Sequence, residues 1–139
     1  AARELKKPLI IHMREATEDT LKILKEEKAV DCGGVMHCFT ESLEVAKRAI
    51  DLNFLISISG IVTFKKAEQV QKVAANLPIE SLMVETDSPF LAPVPYRGKL
   101  NEPSYVSRVV EKISNLRGES KQFIADRTLR NFKQFVKIS

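Results

Sequence analysis

The chain has 139 residues, 44% of them hydrophobic and 29% charged, and its net charge is +4 from 22 basic and 18 acidic residues. This length and composition predict a single globular domain over residues 1–139. No apolar run is long enough to span a membrane, and no signal peptide is visible. The two cysteines do not make a disulfide framework, so we expect reduced thiols and a cytoplasmic protein.

Helical and strand-like patterns alternate along the chain. Residues 1–7 have the character of the last turns of a helix. Four short apolar runs rich in β-forming residues predict strands at 9–12, 35–39, 54–59 and 82–87. Longer segments with apolar residues at helical spacing predict helices at 15–27, 42–51, 66–76, 103–116 and 120–136. Ser42 and Ser120 are candidate N-caps, and Gly118 is a candidate C-terminal breaker.

A long, proline-rich segment follows the fourth predicted strand, over residues 88–103. Loops of this length inside a compact domain are usually functional or disordered. The loop contains apolar side chains that predict packing against the fold rather than disorder: Phe90, Leu91, Val94 and Tyr96.

The fold class predicted from this order is α/β. Strand and helix recur about every 25 residues, which is the pattern of successive βα units with parallel strands. Four such units would make half of an eight-stranded TIM barrel, and a four-stranded open sheet fits the pattern equally well. In both architectures ligands bind at the carboxyl ends of the strands.

Metal-type ligands fall at the ends of three predicted strands. Alternation along the strand 82–87 predicts that Glu85 and Asp87 point the same way, and two buried carboxylates require a positive partner. The two histidines of the chain, His12 and His37, lie at or near the ends of two other predicted strands. Two imidazoles and the Asp87 carboxylate at one edge predict a site for Zn²⁺ or another divalent ion.

Basic residues near the strand ends suit a phosphate-bearing substrate. Arg14 lies two residues beyond His12, and Arg97 lies in the long loop. The guanidinium fork matches phosphate oxygens in pairs, so we rank Arg14 first and Arg97 second as substrate contacts. Other basic residues of the region fit solvated surface positions better than ligand positions: Lys65, Lys66 and Lys99.

Other chemistries are disfavoured. Cys38 directly follows His37, so strand alternation would point the two side chains to opposite faces and separate a Cys–His nucleophilic pair. The spacing of Cys32, His37 and Cys38 is not that of a structural zinc site. The sequence has no Walker loop, no G-x-G-x-x-G and no G-x-S-x-G setting.

The motifs together closely resemble the TatD family of metal-dependent deoxyribonucleases. The matching stretches are PLIIHMREA at 8–16, HCFT at 37–40, ISISGIVTF at 56–64, ETDSPFLAP at 85–93 and RGK at 97–99. The similarity runs from about Arg3 to Phe135. It implies a TIM barrel of the amidohydrolase type and hydrolysis of DNA phosphodiesters, often from the 3′ end.

The resemblance also implies roles for individual residues. His12, His37 and Asp87 match metal ligands, and Arg14 and Glu85 match residues that line the site. The implied cofactor is one or two divalent ions, Mg²⁺, Mn²⁺ or Zn²⁺, which lower the pKa of water. Asp87 would be the catalytic residue that accepts the proton of that water, Glu85 would orient a ligand, and Arg14 would hold a phosphate oxygen.

The family pattern also contains an H-x-H pair and a metal-bridging glutamate that this sequence lacks. We therefore expect the chain to correspond to the C-terminal half of the barrel, its fifth to eighth strands, with two exposed strand edges. The N-terminal half or a second copy would then be needed for stability. The alternatives are an inactive remnant or partner-dependent half barrel that binds metal or nucleic acid, and hydrolysis of another phosphoester or an amide.

Overall fold

A computed structural model of the chain describes residues 1–137. In this range the strands are β1 (Leu9–His12), β2 (Gly34–His37), β3 (Phe54–Ile58) and β4 (Leu82–Val84). The α-helices of the same range are α1 (Ala2–Leu5), α2 (Thr17–Glu26), α3 (Leu43–Asp51), α4 (Glu68–Asn76), α5 (Val106–Arg117) and α6 (Lys121–Val136). Short 3₁₀ turns lie at Ala29–Asp31, Gly60–Thr63, Ile79–Ser81 and Pro103–Tyr105. None of the helices in residues 1–137 is long and apolar enough to cross a bilayer.

The strands form one parallel sheet in the order β1-β2-β3-β4. Each connection leads to the neighbouring strand, without the reversal of order that marks a doubly wound sheet. This sequential order is the one found in βα barrels. The predicted α/β class with four parallel strands is confirmed, and β1 and β4 are the two edges of the sheet.

Helices cover one face of the sheet. The core on that face includes strand residues that are almost fully buried: Met36, Phe54, Ile56, Ile58 and Leu82. Each apolar side chain of this size contributes about 1.5–3 kcal/mol by leaving water. The opposite face carries Ile10, in register with Val35 of β2. The apolar run 9–12 is typical of a buried strand, but Ile10 is 69% exposed and Leu9 and Ile11 are only partly buried, because β1 lies at an edge of the sheet.

Helix ends follow the predicted capping chemistry. The Ser42 hydroxyl accepts a hydrogen bond from the Val45 N–H at 3.3 Å, and Ser120 accepts one from the Phe123 N–H at 3.1 Å. Gly118 ends α5 at a φ of 66°, in the left-handed region that glycine tolerates best. These caps satisfy backbone groups that the helices leave unpaired, so the local sequence fixes the helix ends.

Three strands end earlier than predicted: β2 at His37, β3 at Ile58 and β4 at Val84. The chain turns at Cys38, with a φ of 48°, and at Asp87, with a φ of 57°. Backbone pairing continues just beyond the strands, because the Phe39 N–H donates to the Ser57 carbonyl and the Glu85 N–H donates to the Ile58 carbonyl, both at 3.0 Å. Glu85 therefore keeps the strand direction, whereas Asp87 lies in a turn.

The loop 88–103 packs only partly as predicted, since Leu91 and Tyr96 are partly buried and the Tyr96 ring stacks on Tyr105. Phe90 and Val94 are 69% and 46% exposed, so their expected packing against the fold was wrong. The buried residues are instead Ala92, Pro93 and Asn101. A polar side chain therefore anchors this loop as much as apolar contacts do.

Two contacts hold the loop 88–103 against the rest of the fold. The Asn101 side-chain amide donates hydrogen bonds to the carbonyls of Thr86 and Phe90, both at 2.6 Å. Near the middle of the loop, a Cβ added at Gly60 would lie 2.4 Å from the Leu91 carbonyl oxygen. The close approach of loop and turn thus requires glycine at this position.

Helix α6 is attached to β4 through Asn131, which is 5% exposed. Its side-chain amide donates to the carbonyls of Ile79 and Leu82, at 2.8 and 2.7 Å. Because β4 ends next to the carboxylates 85 and 87, this contact positions the strand that carries them.

We expect Asn131→Leu to lower the free energy of unfolding by about 2 kcal/mol, since two buried carbonyls lose their donor. Urea denaturation measures the change. Asn76→Leu is the matched control, because exposed Asn76 bonds only to the Lys72 carbonyl of its own helix. Equal losses in the two variants would contradict the assigned role of Asn131.

Candidate metal centre

The imidazole of His37 lies between two carboxylates. Its Nδ1 atom is 2.9 Å from Oε1 of Glu85, and its Nε2 atom is 3.3 Å from Oδ1 of Asp87. The three side chains are partly shielded, with exposures of 29%, 17% and 32%. One ligand atom from each lies within 4.8 Å of the other two. Ligands held about 2.0–2.2 Å from one zinc ion lie closer together than this, so the side chains would move towards one another on binding.

This contact crosses the sheet. His37 ends β2 and Glu85 follows β4, while β3 lies between them. Neighbouring strands are about 4.8 Å apart, so the two side chains bridge a gap of two such spacings. Ser57 of β3 lies opposite Met83 of β4, and Ser57 and the following Ser59 are both buried, so β3 presents small side chains at this end of the sheet.

The two carboxylates have too few hydrogen-bond donors among residues 1–137. Oε1 of Glu85 is buried and has no hydrogen-bond donor within residues 1–137. Its short distance to Nδ1 of His37 is a close approach without the direction of a hydrogen bond. A neutral imidazole carries one N–H and could serve only one of two carboxylates. A divalent cation would satisfy both acids, and imidazole nitrogen with carboxylate oxygen is a donor set that such ions accept.

The backbone around Asp87 is held by a short network. Oγ1 of Thr86 accepts hydrogen bonds from the N–H and the hydroxyl of Ser88, at 3.4 and 3.0 Å. The carbonyl of Asp87 accepts from the Phe90 N–H at 3.0 Å. A left-handed residue other than glycine costs about 1–2 kcal/mol, and surrounding contacts must hold it in place. This turn brings Asp87 to the same imidazole as Glu85.

His12 lies beside this cluster rather than inside it. It pairs with His37 in the sheet register, and the two ring centroids are 5.7 Å apart at 43°. His12 is exposed, while the next residue, Met13, is buried in the core. The structure therefore joins His37, Glu85 and Asp87, and leaves His12 at the rim.

The two candidate arginines lie outside the cluster. Arg14 is exposed two residues beyond the end of β1. Arg97 is exposed in the loop, with its guanidinium carbon 3.6 Å from the centroid of the Phe64 ring. Within residues 1–137, His37 is the basic side chain that faces Glu85 and Asp87, and neither arginine forms an ion pair with these carboxylates.

The structure also shows contacts that the sequence did not indicate. The Cys38 thiol donates a hydrogen bond to the Ser59 hydroxyl at 3.4 Å. Burial raises the pKa of the Cys38 thiol, and the charges of Glu85 and Asp87 add to this rise, although the Ser59 contact opposes it. A protonated thiol is a poor nucleophile, in agreement with the disfavoured Cys–His pair. Asn101 was also missed, since no pattern in its neighbourhood signals a buried amide.

Comparison with known proteins identifies the family. The family described as TatD related DNase matches residues 1–137. The chain belongs to this family. YcfH of Escherichia coli strain K12, named an uncharacterized metal-dependent hydrolase, is 53% identical over 136 residues, covering 98% of this chain and 51% of that protein. YabD of Bacillus subtilis strain 168, named in the same way, is 49% identical, covering 99% of this chain and 54% of that protein.

Solved TatD structures share the fold. The crystal structure of YJJV, a TatD homolog from Escherichia coli K12, matches with a TM-score of 0.91 at 30% identity, over 99% of this chain and 53% of that one. A TatD family hydrolase from Entamoeba histolytica matches with a TM-score of 0.83 at 20% identity, which shows the fold alone. The chain thus spans about half the length of the TatD relatives it matches.

We expect Glu85→Gln to weaken binding of Mn²⁺ or Zn²⁺ by about tenfold or more, because a neutral amide replaces a buried carboxylate beside the imidazole. Isothermal titration calorimetry measures the affinity. Glu44→Gln, which removes an exposed acid on α3, should leave it unchanged. Unaltered ion affinity in Glu85→Gln would argue against a site at these carboxylates.

Proposed function

We propose that this chain supplies half of the barrel of a metal-dependent hydrolase that cleaves DNA phosphodiesters from the 3′ end. The observation that carries the proposal is the cluster of His37, Glu85 and Asp87, with its buried, unpaired carboxylate oxygen. Membership of the TatD-related family supports hydrolysis, and the family description supports DNA as the substrate class. His12 and Arg14, at the neighbouring strand end, complete the proposed site.

In the proposed mechanism His37 and Asp87, joined by His12 from the neighbouring strand end, would hold a divalent ion. When bound, the ion would supply Lewis acidity that activates water and offsets the charge on the phosphodiester. Asp87 accepts the proton that the attacking water loses as its oxygen bonds to phosphorus. The bond from phosphorus to the leaving sugar oxygen breaks, and that oxygen takes up a proton from solvent, to which Asp87 releases its own. Glu85 lies against Nδ1 of His37 and orients the ring, so that Nε2 faces Asp87.

Arg14 is proposed to hold a non-bridging oxygen of the scissile phosphate. It leaves β1 at the same end of the sheet as His12 and is free to extend from an exposed position. A guanidinium aimed at phosphate oxygens stabilises the charge that builds up in the transition state more than it stabilises the ground state. Its contribution should therefore appear in the rate of the chemical step.

The half-barrel part of the proposal assigns β1 to β4 to the fifth to eighth strands of a TIM barrel. Grooves at both edges of the sheet support it. Beside β1, a groove of about 720 Å³ is lined by apolar Leu9 and Ile23 and also by charged residues: Arg3, Glu4, Glu27 and Asp31. Beside β4, a groove of about 340 Å³ includes Val84, Leu129 and Phe132. The missing half of the barrel, or a second copy of this chain, would cover these surfaces and complete the site.

We expect the complete site to release nucleotides from single-stranded DNA with Mn²⁺, and EDTA to abolish the reaction. His37→Ala should lower the rate at least about a hundredfold, because the cluster loses its central ligand. Gel analysis of 3′- and 5′-labelled oligonucleotides measures the rate and the polarity. Glu44→Gln serves as the control variant with unchanged charge at the site.

The assay is run with the chain alone and after adding the part of YcfH that the match leaves uncovered. Activity only after the addition supports the half barrel, whereas equal activity in both samples contradicts it. Inactivity in both samples, with metal still bound, favours the non-catalytic remnant. Turnover of a phosphomonoester or an amide, with DNA untouched, would replace the proposed substrate.

We expect Arg14→Gln to lower kcat by about 10²-fold, the typical loss when a donor to transition-state charge is removed. Mn²⁺ affinity should stay the same, since Arg14 is not in the ligand cluster. Single-turnover cleavage of labelled DNA measures the chemical step directly. A change confined to KM would mean that Arg14 contributes only ground-state binding.

A further inference from the structure

A basic surface lies at the carboxyl edge of the sheet, beyond the candidate metal centre. Arg97 stacks on the Phe64 ring with 3.6 Å from its guanidinium carbon to the ring centroid. Phe64 directly follows the turn Gly60–Thr63 that leaves β3, and Arg97 belongs to the loop that leaves β4. The stacked pair therefore joins the segments that leave two neighbouring strands on the side where Asp87 lies.

The loop around Arg97 is held in one conformation. The Val94 N–H donates to Oγ1 of Thr63 at 2.9 Å, and the Tyr96 N–H donates to the Pro93 carbonyl at 2.7 Å. The Tyr96 ring stacks on Tyr105, with centroids 4.0 Å apart and planes 10° from parallel. Arg97 thus projects from a fixed backbone, and little conformational entropy remains to be lost when it binds a ligand.

The positive charges of this surface have no acidic partner. Arg97 is exposed, and so are the lysines on either side of the pair: Lys65, Lys66 and Lys99. None of the four takes part in an ion pair within residues 1–137, whereas Arg48 and Arg127 are paired with Glu18 and Glu80. Stacking leaves the N–H groups along the edges of a guanidinium free to bind oxygens in its own plane.

We propose that Arg97, supported by Phe64 and the three neighbouring lysines, binds backbone phosphates of single-stranded DNA away from the scissile bond. This inference rests on the proposed function and names the part of the substrate that the surface takes. The guanidinium can donate two parallel hydrogen bonds to one phosphate, whereas lysines act as point charges along the DNA strand. Phe90 and Leu100 of the same loop, 69% and 76% exposed, offer apolar surface to unstacked bases.

Fluorescence anisotropy with fluorescein-labelled (dT)12 in EDTA tests the surface without turnover. Arg97→Gln should weaken binding about fivefold and reduce the slope of log K against log salt by about 0.7, the value for one phosphate contact on a single strand. Arg130→Gln removes an exposed arginine from α6 and should leave both quantities unchanged. Equal binding by wild type and Arg97→Gln, or no binding by wild type, would overturn the proposal.

Phe64→Leu tests the stacking itself, because all the charges remain. It should weaken binding less than Arg97→Gln and leave the salt slope unchanged, while a thermal melt shows that the chain is folded. If this variant does not fold, Arg97→Gln still decides the question. Loss of binding in Arg97→Gln without DNA cleavage by wild type would refute the proposed function alone, and cleavage with unchanged binding would refute this inference alone.

Discussion

The contact between His37 and the two carboxylates links strands that are not neighbours. β3 separates β2 from β4, so the contact between His37 and Glu85 spans two strand spacings. It brings two carboxylates to the two nitrogens of one ring, and Oε1 of Glu85 has no hydrogen-bond donor within residues 1–137. This electrostatic imbalance is the central constraint on the carboxyl edge of the sheet, and it gives a divalent ion a physical reason to bind there.

The backbone around the cluster holds the two carboxylates close to the imidazole. Cys38 and Asp87 take left-handed conformations directly after the strands, which turns the chain where ligand side chains begin. Asn101 ties the loop back to Thr86, so the turn carrying Asp87 cannot relax away from the imidazole. Strained residues persist only where their surroundings determine their conformation, and here the surroundings are the loop 88–103.

The sheet itself is covered unevenly. Helices bury one face, while Ile10 on the opposite face of β1 and Phe132 on α6 remain 69% and 45% exposed. The TatD relatives are about twice as long as this chain, and the match to a solved TatD structure leaves nearly half of that chain uncovered. Exposed apolar groups at both edges agree with the proposal that further strands cover them.

The sequence by itself determined the family, the α/β class and the capped helices, because motifs, periodicity and caps depend on residues close together in the chain. It also named His37, Glu85 and Asp87 as candidates. Tertiary structure alone decided how they meet. It ended β4 at Val84, left His12 at the rim, left one oxygen of Glu85 unpaired, and stacked Arg97 on Phe64. These outcomes depend on distances between strands and on left-handed turns at ordinary residues, and no local pattern encodes either.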